Sequence, residues 1–457
     1  MNLFLQSDSR PLHFVGAGGA GMSALALVAL RRGMRVTGSD ADLAGVGDLI
    51  ARGAQIAKGS APRLAAEARA VIASAAIPAG HPDLVEAAAH GVPVVPRKVA
   101  LAGLIGSATC VAIAGTHGKT TTTVMTTGAL VGAGLDPTGL AGGRVPEWGG
   151  NARLGGTDLF VVEADEYDQA FLTLTPTVAV INNVEPDHLE CYGSVEAMEA
   201  AYVRFAGSAQ RILVGNDGVG SDRVAAGLDP ARVWRFGPGA EGVGLTDIVL
   251  GAEESRAVVR LADGRSVPLS LAVPGLHNLR NATAALGAVV ALGADPVKAA
   301  AALGQFRGVG RRFERVGSAW GVTVVDDYAH HPTELGATLA AARQAFPGRR
   351  LVAVFQPHLY SRTALHAEAM GAALAAADLV IVADVYGARE APLPGVTGDL
   401  VAEAARQRGA AVRYQPARAA LAAEVLTEVE PGDVVVTLGA GDVTRVGPEV
   451  LGELEAR

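Results

Sequence analysis

Lysine is almost missing from this chain of 457 residues: Lys+Arg total 38, yet only Lys58, Lys98, Lys119 and Lys298 are lysines. Arginine supplies nearly all of the positive charge, so a lysine kept where arginine cannot serve is a candidate for chemistry. Cysteine is equally scarce, and Cys110 and Cys191 cannot form a disulfide scaffold in a chain this long. Dense basic stretches are absent and the formal net charge is -8, which argues against a bulk nucleic-acid binder. The longest apolar run, Ala282 to Ala294, falls short of the ~18 residues a membrane span needs. The opening segment MNLFLQSDSRP has no positive start and is broken by Asp8, so no secretory signal is expected. These absences point to a soluble, cytoplasmic protein with no nucleic-acid partner and no membrane insertion.

What is present is an ordered α/β composition, half hydrophobic and only 18% charged, with Gly 58 well above the usual ~7%. The length suggests two to four domains, each with its own core. Short apolar strands alternate with alanine-rich helical stretches in three successive segments. The first segment opens with Leu12-His-Phe-Val-Gly16 and continues through strand-like runs at Met34 to Thr37 and Val71 to Ala73. This alternation predicts a Rossmann-type parallel sheet, with the proline cluster Pro93 to Pro96 as its edge. The second opens with Thr109 to Gly115, followed by buried strands at Leu159 to Glu163, Val178 to Ile181 and Arg211 to Val214. From Val243 to Val273 shorter polar alternations suggest hairpins decorating that sheet. The third starts near Val322 and carries strands at Leu351 to Phe355, Leu379 to Ala383 and Val434 to Leu438. We expect three α/β domains in series, at residues 1–98, 99–312 and 313–457.

Gly115-Thr116-His117-Gly118-Lys119-Thr120 lies between a buried strand and a helix that continues Thr121-Thr122-Thr123. Glycines let backbone N–H groups converge on phosphate oxygens, and the helix N-terminus adds a favourable field. Lys119 can reach β/γ phosphates and the Thr120 hydroxyl can ligate Mg²⁺, so a nucleoside triphosphate site is expected. Where a full phosphate-loop signature has its first glycine, this chain has Ile113. Near the N-terminus, Gly16-Ala17-Gly18-Gly19-Ala20-Gly21 follows a strand, and Ser39-Asp40 closes the next strand about 20 residues on. That spacing reads a diphosphate and a ribose, which NAD(P) and any nucleotide-diphosphate conjugate both carry.

Six of the ten histidines fall in motif-like positions: His117, His188, His277, His330, His331 and His358. Glu163 ends a strand in Val-Val-Glu-Ala-Asp-Glu-Tyr and His188 follows another, so both can converge on one sheet edge with Thr120. Cys191 has no second thiol nearby, and zinc is not supported. Asn278 and Asn281 suit a base edge, and Arg311-Arg312 suits phosphate or carboxylate. The strand-end cluster Asp326-Asp327-Tyr328-Ala-His330-His331 suits a substrate amine. Phe355-Gln-Pro-His358-Leu359-Tyr-Ser-Arg362 and Gly439-Ala-Gly-Asp442 each follow a strand.

Taken together, HFVGAGGAGMSALA, GTHGKTTTT, VVEADEYDQAF, NNVEPDHLECYG, GLHNLRNATAA, DDYAHHPTEL, FQPHLYSRT and GAGD resemble the Mur ligase family nearly end to end, in its alanine-adding branch. The resemblance implies ATP-dependent ligation of L-alanine to the lactoyl carboxylate of UDP-N-acetylmuramate, with ATP and Mg²⁺ (or Mn²⁺). It implies a UDP-binding Rossmann-like domain, a central ATPase-type domain and a C-terminal Rossmann-like domain. Gly18, Gly19, Ala20, Gly21 and Met22 would approach the UDP diphosphate, with Ser39 and Asp40 near the nucleoside. Gly115, Thr116, His117, Gly118, Lys119, Thr120 and Thr121 would hold the ATP phosphates, and Asn278 and Asn281 would face adenine. Arg312 and Asp327 would belong to the ATP site from the third domain. Thr120, Glu163 and His188 would hold the metal, while Tyr328, His330 and Arg362 would line the alanine pocket, with Lys119 and His330 in the chemistry. Many relatives carry arginine where this chain has Leu359. Sister ligases use a carbamylated central-domain lysine; no lysine lies between Lys119 and Lys298, so none can form in that stretch. The alternatives are a ligase recycling a preformed peptide onto the same sugar, an NAD-dependent oxidoreductase and a non-catalytic nucleotide-binding regulator.

Overall fold

The computed structural model describes residues 8–388 and 390–456. Among the described residues, twenty-one strands form three sheets. The first is all parallel: β1 (Leu12–Val15), β2 (Val36–Asp40), β3 (Gln55–Lys58), β4 (Ala70–Ala73) and β5 (Val94–Pro96), in the order β3-β2-β1-β4-β5. β1 and β4 are buried along their whole length, as central strands covered on both faces must be. β3 and β5 were not expected as strands. Both are edge strands with no buried residue and at least half of their residues exposed, so no apolar run marks them, and Pro96 is tolerated because an edge need not donate on both sides. The run expected from Met34 begins at Val36, because the Met34 N–H still closes the preceding helix on the Ala29 carbonyl at 3.0 Å.

The second sheet contains β6 (Thr109–Ala114), β7 (Thr138–Val145), β8 (Gly150–Arg153), β9 (Leu159–Glu163), β10 (Val178–Ile181), β11 (Arg211–Gly215), β12 (Val233–Pro238), β13 (Val243–Leu250), β14 (Ser255–Arg260) and β15 (Ser266–Leu271). Their order is β15-β14-β13-β12-β11-β10-β6-β9-β7-β8. β6 lies between β10 and β9, parallel to both, so its C-terminal end faces the ends of two other buried strands. β13 to β15 continue one side, β14 and β15 alternating buried with less buried residues, in keeping with the hairpins expected there. β7 and β8 form an antiparallel pair on the other side that the glycine-rich GLAGGRV segment did not announce.

The third sheet, β16 (Glu314–Ala319), β17 (Val322–Asp327), β18 (Leu351–Phe355), β19 (Leu379–Val382), β20 (Val412–Tyr414) and β21 (Val434–Leu438), runs β16-β17-β21-β18-β19-β20. Only β16 is antiparallel to its neighbour.

Three sheets nevertheless make two compact units: one takes in the chain to Asp247, Ala257–Ser270 and Arg280–Phe306, the other Ile248–Arg256, Leu271–Leu279 and the chain from Arg307. Helix Ala20–Arg31 packs on β7 and β8, and one apolar core runs from Leu12 and Phe14 of the first sheet to Phe160 of the second and Tyr202 of helix Val195–Gly207. Sharing that core merges the first two sheets. No described helix is long and apolar enough to cross a membrane.

Candidate functional site

In the first unit, two loops at strand ends carry the glycine motifs. β6 leads into the phosphate loop and then helix Lys119–Gly132. Gly118 is left-handed at φ +76°, and a Cβ there would lie 2.7 Å from Asn281 Oδ1 and 3.0 Å from Asn182 Nδ2. Asn281 therefore stands directly on the loop. Asn182 and Asn183 pin it: Asn182 Nδ2 donates to the His117 carbonyl at 3.1 Å, and Asn183 Oδ1 accepts the His117 N–H at 2.8 Å. His117 Nε2 lies 3.2 Å from Glu185 Oε2. Thr120 and Thr121 are buried.

Lys119 Nζ donates to the carbonyls of Gly115 (2.6 Å) and Thr116 (3.1 Å) and to Glu166 Oε1 (2.8 Å). Glu166 is only 3% exposed and was not read from the sequence, although it lies in the same acidic run as Glu163. Its Oε2 is buried with no hydrogen-bond partner among the described residues. Burial opposes both charges. For Lys119 the adjacent Glu166, with Glu163 and Asp165 behind it, outweighs burial and holds the ammonium above its ordinary pKa. For Glu166 burial dominates and raises the carboxyl, against the pull of Lys119.

Glu163 ends β9, and its Oε2 accepts the Gly142 N–H at 2.5 Å. A Cβ at Gly142 would lie 2.5 Å from Oε1, so glycine is what lets β7 cradle this carboxylate. His188 is left-handed at φ +52°, edge-on to the Tyr167 ring at 5.1 Å, with Nδ1 3.3 Å from Glu190.

At the N-terminal loop, Asp40 Oδ2 accepts the Gly18 N–H at 2.7 Å and Oδ1 accepts the Asp42 N–H at 3.0 Å. Gly19 caps helix Ala20–Arg31, whose first turn holds Gly21 and the buried Met22. Met22 faces the core, so only its backbone lies at the loop. Ser39 is turned inward: its hydroxyl donates to Asp83 at 2.6 Å, and Asp83 also meets His13 Nε2 at 3.1 Å, all fully buried. What Ser39 presents to the loop is its carbonyl, which accepts the N–H groups of Gly16 and Ala17 at 2.8 and 3.0 Å.

In the second unit, residues at the ends of β17 and β18 form another cluster. Asp327 Oδ1 accepts the Ala329 N–H and Oδ2 the Phe313 N–H, both at 2.7 Å. The guanidiniums of Arg311 and Arg312 lie over the Tyr328 ring at 4.9 and 4.8 Å. Tyr328, His330, His358 and Tyr386 follow as a chain of ring contacts at 5.4, 6.0 and 5.8 Å. Arg362 Nη1 is 3.2 Å from His358 Nδ1. His330 is held by the Tyr328 carbonyl at 2.9 Å on Nδ1 and by Glu334, which accepts the His330 backbone N–H at 3.0 Å. Leu359 is left-handed at φ +70° and 2% exposed, so its side chain packs inward. The chain thus places no cation at that position, and Arg362 reaches His358 from the helix that follows. Asn278 Nδ2 donates to the Pro274 carbonyl at 2.8 Å, within its own turn.

Burial pushes the Asp327 carboxyl up to about 6, against the opposing charge of Arg312 and its two N–H donors. A raised carboxyl pKa means the folded state binds the proton more tightly than the unfolded chain. Its stabilising contribution is therefore full below the ordinary value of 3.8 and is lost as pH rises to about 6, a change of about 3 kcal/mol. Denaturant unfolding between pH 4 and 6 should show that falling stability, and Asp327→Asn, which cannot titrate, should flatten it.

Three family profiles match in series: "Mur ligase family, catalytic domain" over residues 11–109, "Mur ligase middle domain" over 113–289 and "Mur ligase, glutamate ligase domain" over 311–441. The chain belongs to the Mur ligase family. Mur ligases are ATP-dependent amide-forming ligases, and membership accounts for both glycine motifs, which an oxidoreductase reading did not. A UDP-N-acetylmuramate--L-alanine ligase of Mycobacterium sp. (strain JLS) is 47% identical, over 99% of this chain and 97% of that one. A protein of the same name from Renibacterium salmoninarum is 43% identical over 98% and 97%. Among solved structures, the UDP-N-acetylmuramate-alanine ligase of Thermotoga maritima has a TM-score of 0.83 at 28% identity, covering 98% of this chain and 99% of that one. A murein peptide ligase of Psychrobacter arcticus shares the fold, with a TM-score of 0.73 at 24% identity over 98% and 99%.

The hydroxyl of Thr120 and the carboxylate of Glu163 are hard oxygen donors of the kind that suits a divalent cation of the Mg²⁺ or Mn²⁺ class, with the His188 imidazole on the loop after β10. The Gly142 cradle around Glu163 fits that reading.

Proposed function

We propose that this Mur ligase joins L-alanine to the lactoyl carboxylate of UDP-N-acetylmuramate, consuming ATP and releasing ADP and phosphate in the cytoplasm. The observation that carries the reading is the 47% identity, over nearly the whole chain, to a ligase of that name. The domains would be residues 1–98, 99–312 and 313–457, taking the UDP sugar, ATP and the amino acid in turn.

Gly18, Gly19, Ala20, Gly21 and the Met22 backbone would approach the diphosphate, with Asp40 and the Ser39 backbone shaping that loop. The Gly115–Thr121 loop would wrap the ATP phosphates, with Asn281 on it, and Asn278, Arg312 and Asp327 completing the ATP site. Lys119, whose Nζ is held by three oxygens, would exchange one of these contacts for a phosphate oxygen and neutralise the γ-phosphate as the lactoyl carboxylate attacks it. Thr120, Glu163 and His188 would hold Mg²⁺, which supplies charge neutralisation on the phosphates when bound. Attack forms the acyl phosphate and ADP; the alanine amine then displaces phosphate, the tetrahedral oxyanion being stabilised by nearby cations. Tyr328, His330 and Arg362 would line the amine pocket, with His330, fixed through Nδ1, orienting or deprotonating the amine.

The test is phosphate release with UDP-N-acetylmuramate and ATP against a panel of acceptors. Free L-alanine is expected to support turnover, with a preformed peptide supporting little. The reverse preference would replace this reading with the recycling ligase.

A further inference from the structure

Helix Arg97–Ile105 begins with two cations that reach the acidic segment beside the phosphate loop, all within the first unit. Arg97 Nη2 donates to Asp165 Oδ2 at 3.1 Å, and Lys98 Nζ donates to the carbonyl and Oδ2 of Asp168 at 2.9 and 2.8 Å. The Lys98 carbonyl accepts the Thr173 hydroxyl at 3.1 Å, so the helix start grips both ends of the turn Tyr167–Thr173. That turn is locally strained, since Asp168 and Gln169 are left-handed at φ 53° and 50°. Asp165 Oδ1 accepts the Tyr167 N–H, and the next residue, Glu166, holds Lys119. Three acids, Glu163, Asp165 and Glu166, are thus met by a backbone N–H, Arg97 and Lys119 respectively.

Arg97 has a second neighbour. A Cβ on Gly21 would lie 2.7 Å from Arg97 Nη1, so the guanidinium rests on the bare backbone of the N-terminal glycine loop while its other nitrogen holds Asp165. Arg97 and Asp165 side chains are 25% and 41% exposed, a degree at which an ion pair contributes little to stability. Stability therefore does not account for a bridge that ties one nucleotide loop to the other.

We propose that Arg97 is a positioning residue that couples occupancy of the N-terminal glycine loop by a nucleotide diphosphate to the acidic segment that seats Lys119. An incoming diphosphate would bring negative charge beside Nη1, in competition with Asp165 for one guanidinium. Releasing or reorienting Asp165 changes the electrostatic surroundings of Glu166 and Lys119, to both of which Asp165 couples electrostatically. This inference rests on the proposed function for the identity of the nucleotide sugar.

Calorimetric titration tests it without turnover, using β,γ-imido-ATP with Mg²⁺, with and without saturating UDP-N-acetylmuramate and no alanine. In the wild type the second ligand is expected to change the affinity for the first by at least about fivefold. Arg97→Gln and Asp165→Asn should each bring that ratio to within about twofold of one, and the double variant should go no further. Arg97→Lys, which keeps the charge, should recover part of it. A ratio in Arg97→Gln equal to that of the wild type, or a wild-type ratio of one, overturns the coupling. Should Arg97→Gln fail to fold, Asp165→Asn reads the same ratio at a partly exposed side chain. Failure of the wild type to bind UDP-N-acetylmuramate at all would instead overturn the proposed function.

Discussion

Lys119→Ala should reduce ATP-dependent phosphate release by at least about 100-fold, the scale on which preorganised charge acts on a developing anion. The side chain is 15% exposed and its ammonium is held above its ordinary pKa by Glu166, Glu163 and Asp165, so it is a fixed positive charge. Truncation removes that charge and the two Nζ contacts to the Gly115 and Thr116 carbonyls, while Gly118 and the two asparagines behind the loop still hold its turn. Lys119→Arg should not rescue the activity. A planar guanidinium does not fit three oxygen contacts at 2.6 to 3.1 Å converging on one nitrogen. Near-normal phosphate release by Lys119→Ala would remove this lysine from the chemistry.

Glu166→Ala should cost about 3 to 5 kcal/mol of folding stability, because it strands the Lys119 charge in a buried site. Glu166 is 5% exposed at its side chain, so solvent cannot replace the lost partner cheaply. A shift of the denaturant midpoint to lower concentration with an unchanged slope is the expected signature. The double variant Lys119→Met/Glu166→Ala should recover much of the loss, since no orphan charge remains. An unshifted midpoint in Glu166→Ala would show that the pair is electrostatically idle. Activity should fall with Glu166→Gln as well, where stability is less affected, because the neutral amide no longer fixes the ammonium.

The parts of this site that were legible in advance are those whose cause lies in adjacent residues. A buried strand, a glycine turn and a helix start follow one another along the chain at 109–132, and that succession carries the backbone geometry of the phosphate loop with it. Lysine scarcity isolated Lys119 on the same footing, as did the strand-end positions of Glu163, Asp327 and Tyr328. Edge strands such as β3 and β5 escaped because half-exposed residues leave no periodic apolar trace. Leu359 looked like a missing cation until its left-handed backbone turned the side chain into the core.

Other features depended on residues far apart in sequence meeting in space. Nothing local marks Glu166 as the partner of Lys119 among Glu163, Asp165 and Glu166, three acids within four positions. The fold separates them by giving each a different partner, from residue 142, 119 or 97. The merging of the first two sheets over one core depends in the same way on helix Ala20–Arg31 finding β7 and β8. Sequence patterning sets which backbone shapes are cheap at each point, through sterics and the burial of apolar faces that neighbouring residues share. Which charge neutralises which is settled only when strand order brings loop ends together, because Coulomb attraction and desolvation depend on distance in space rather than distance along the chain.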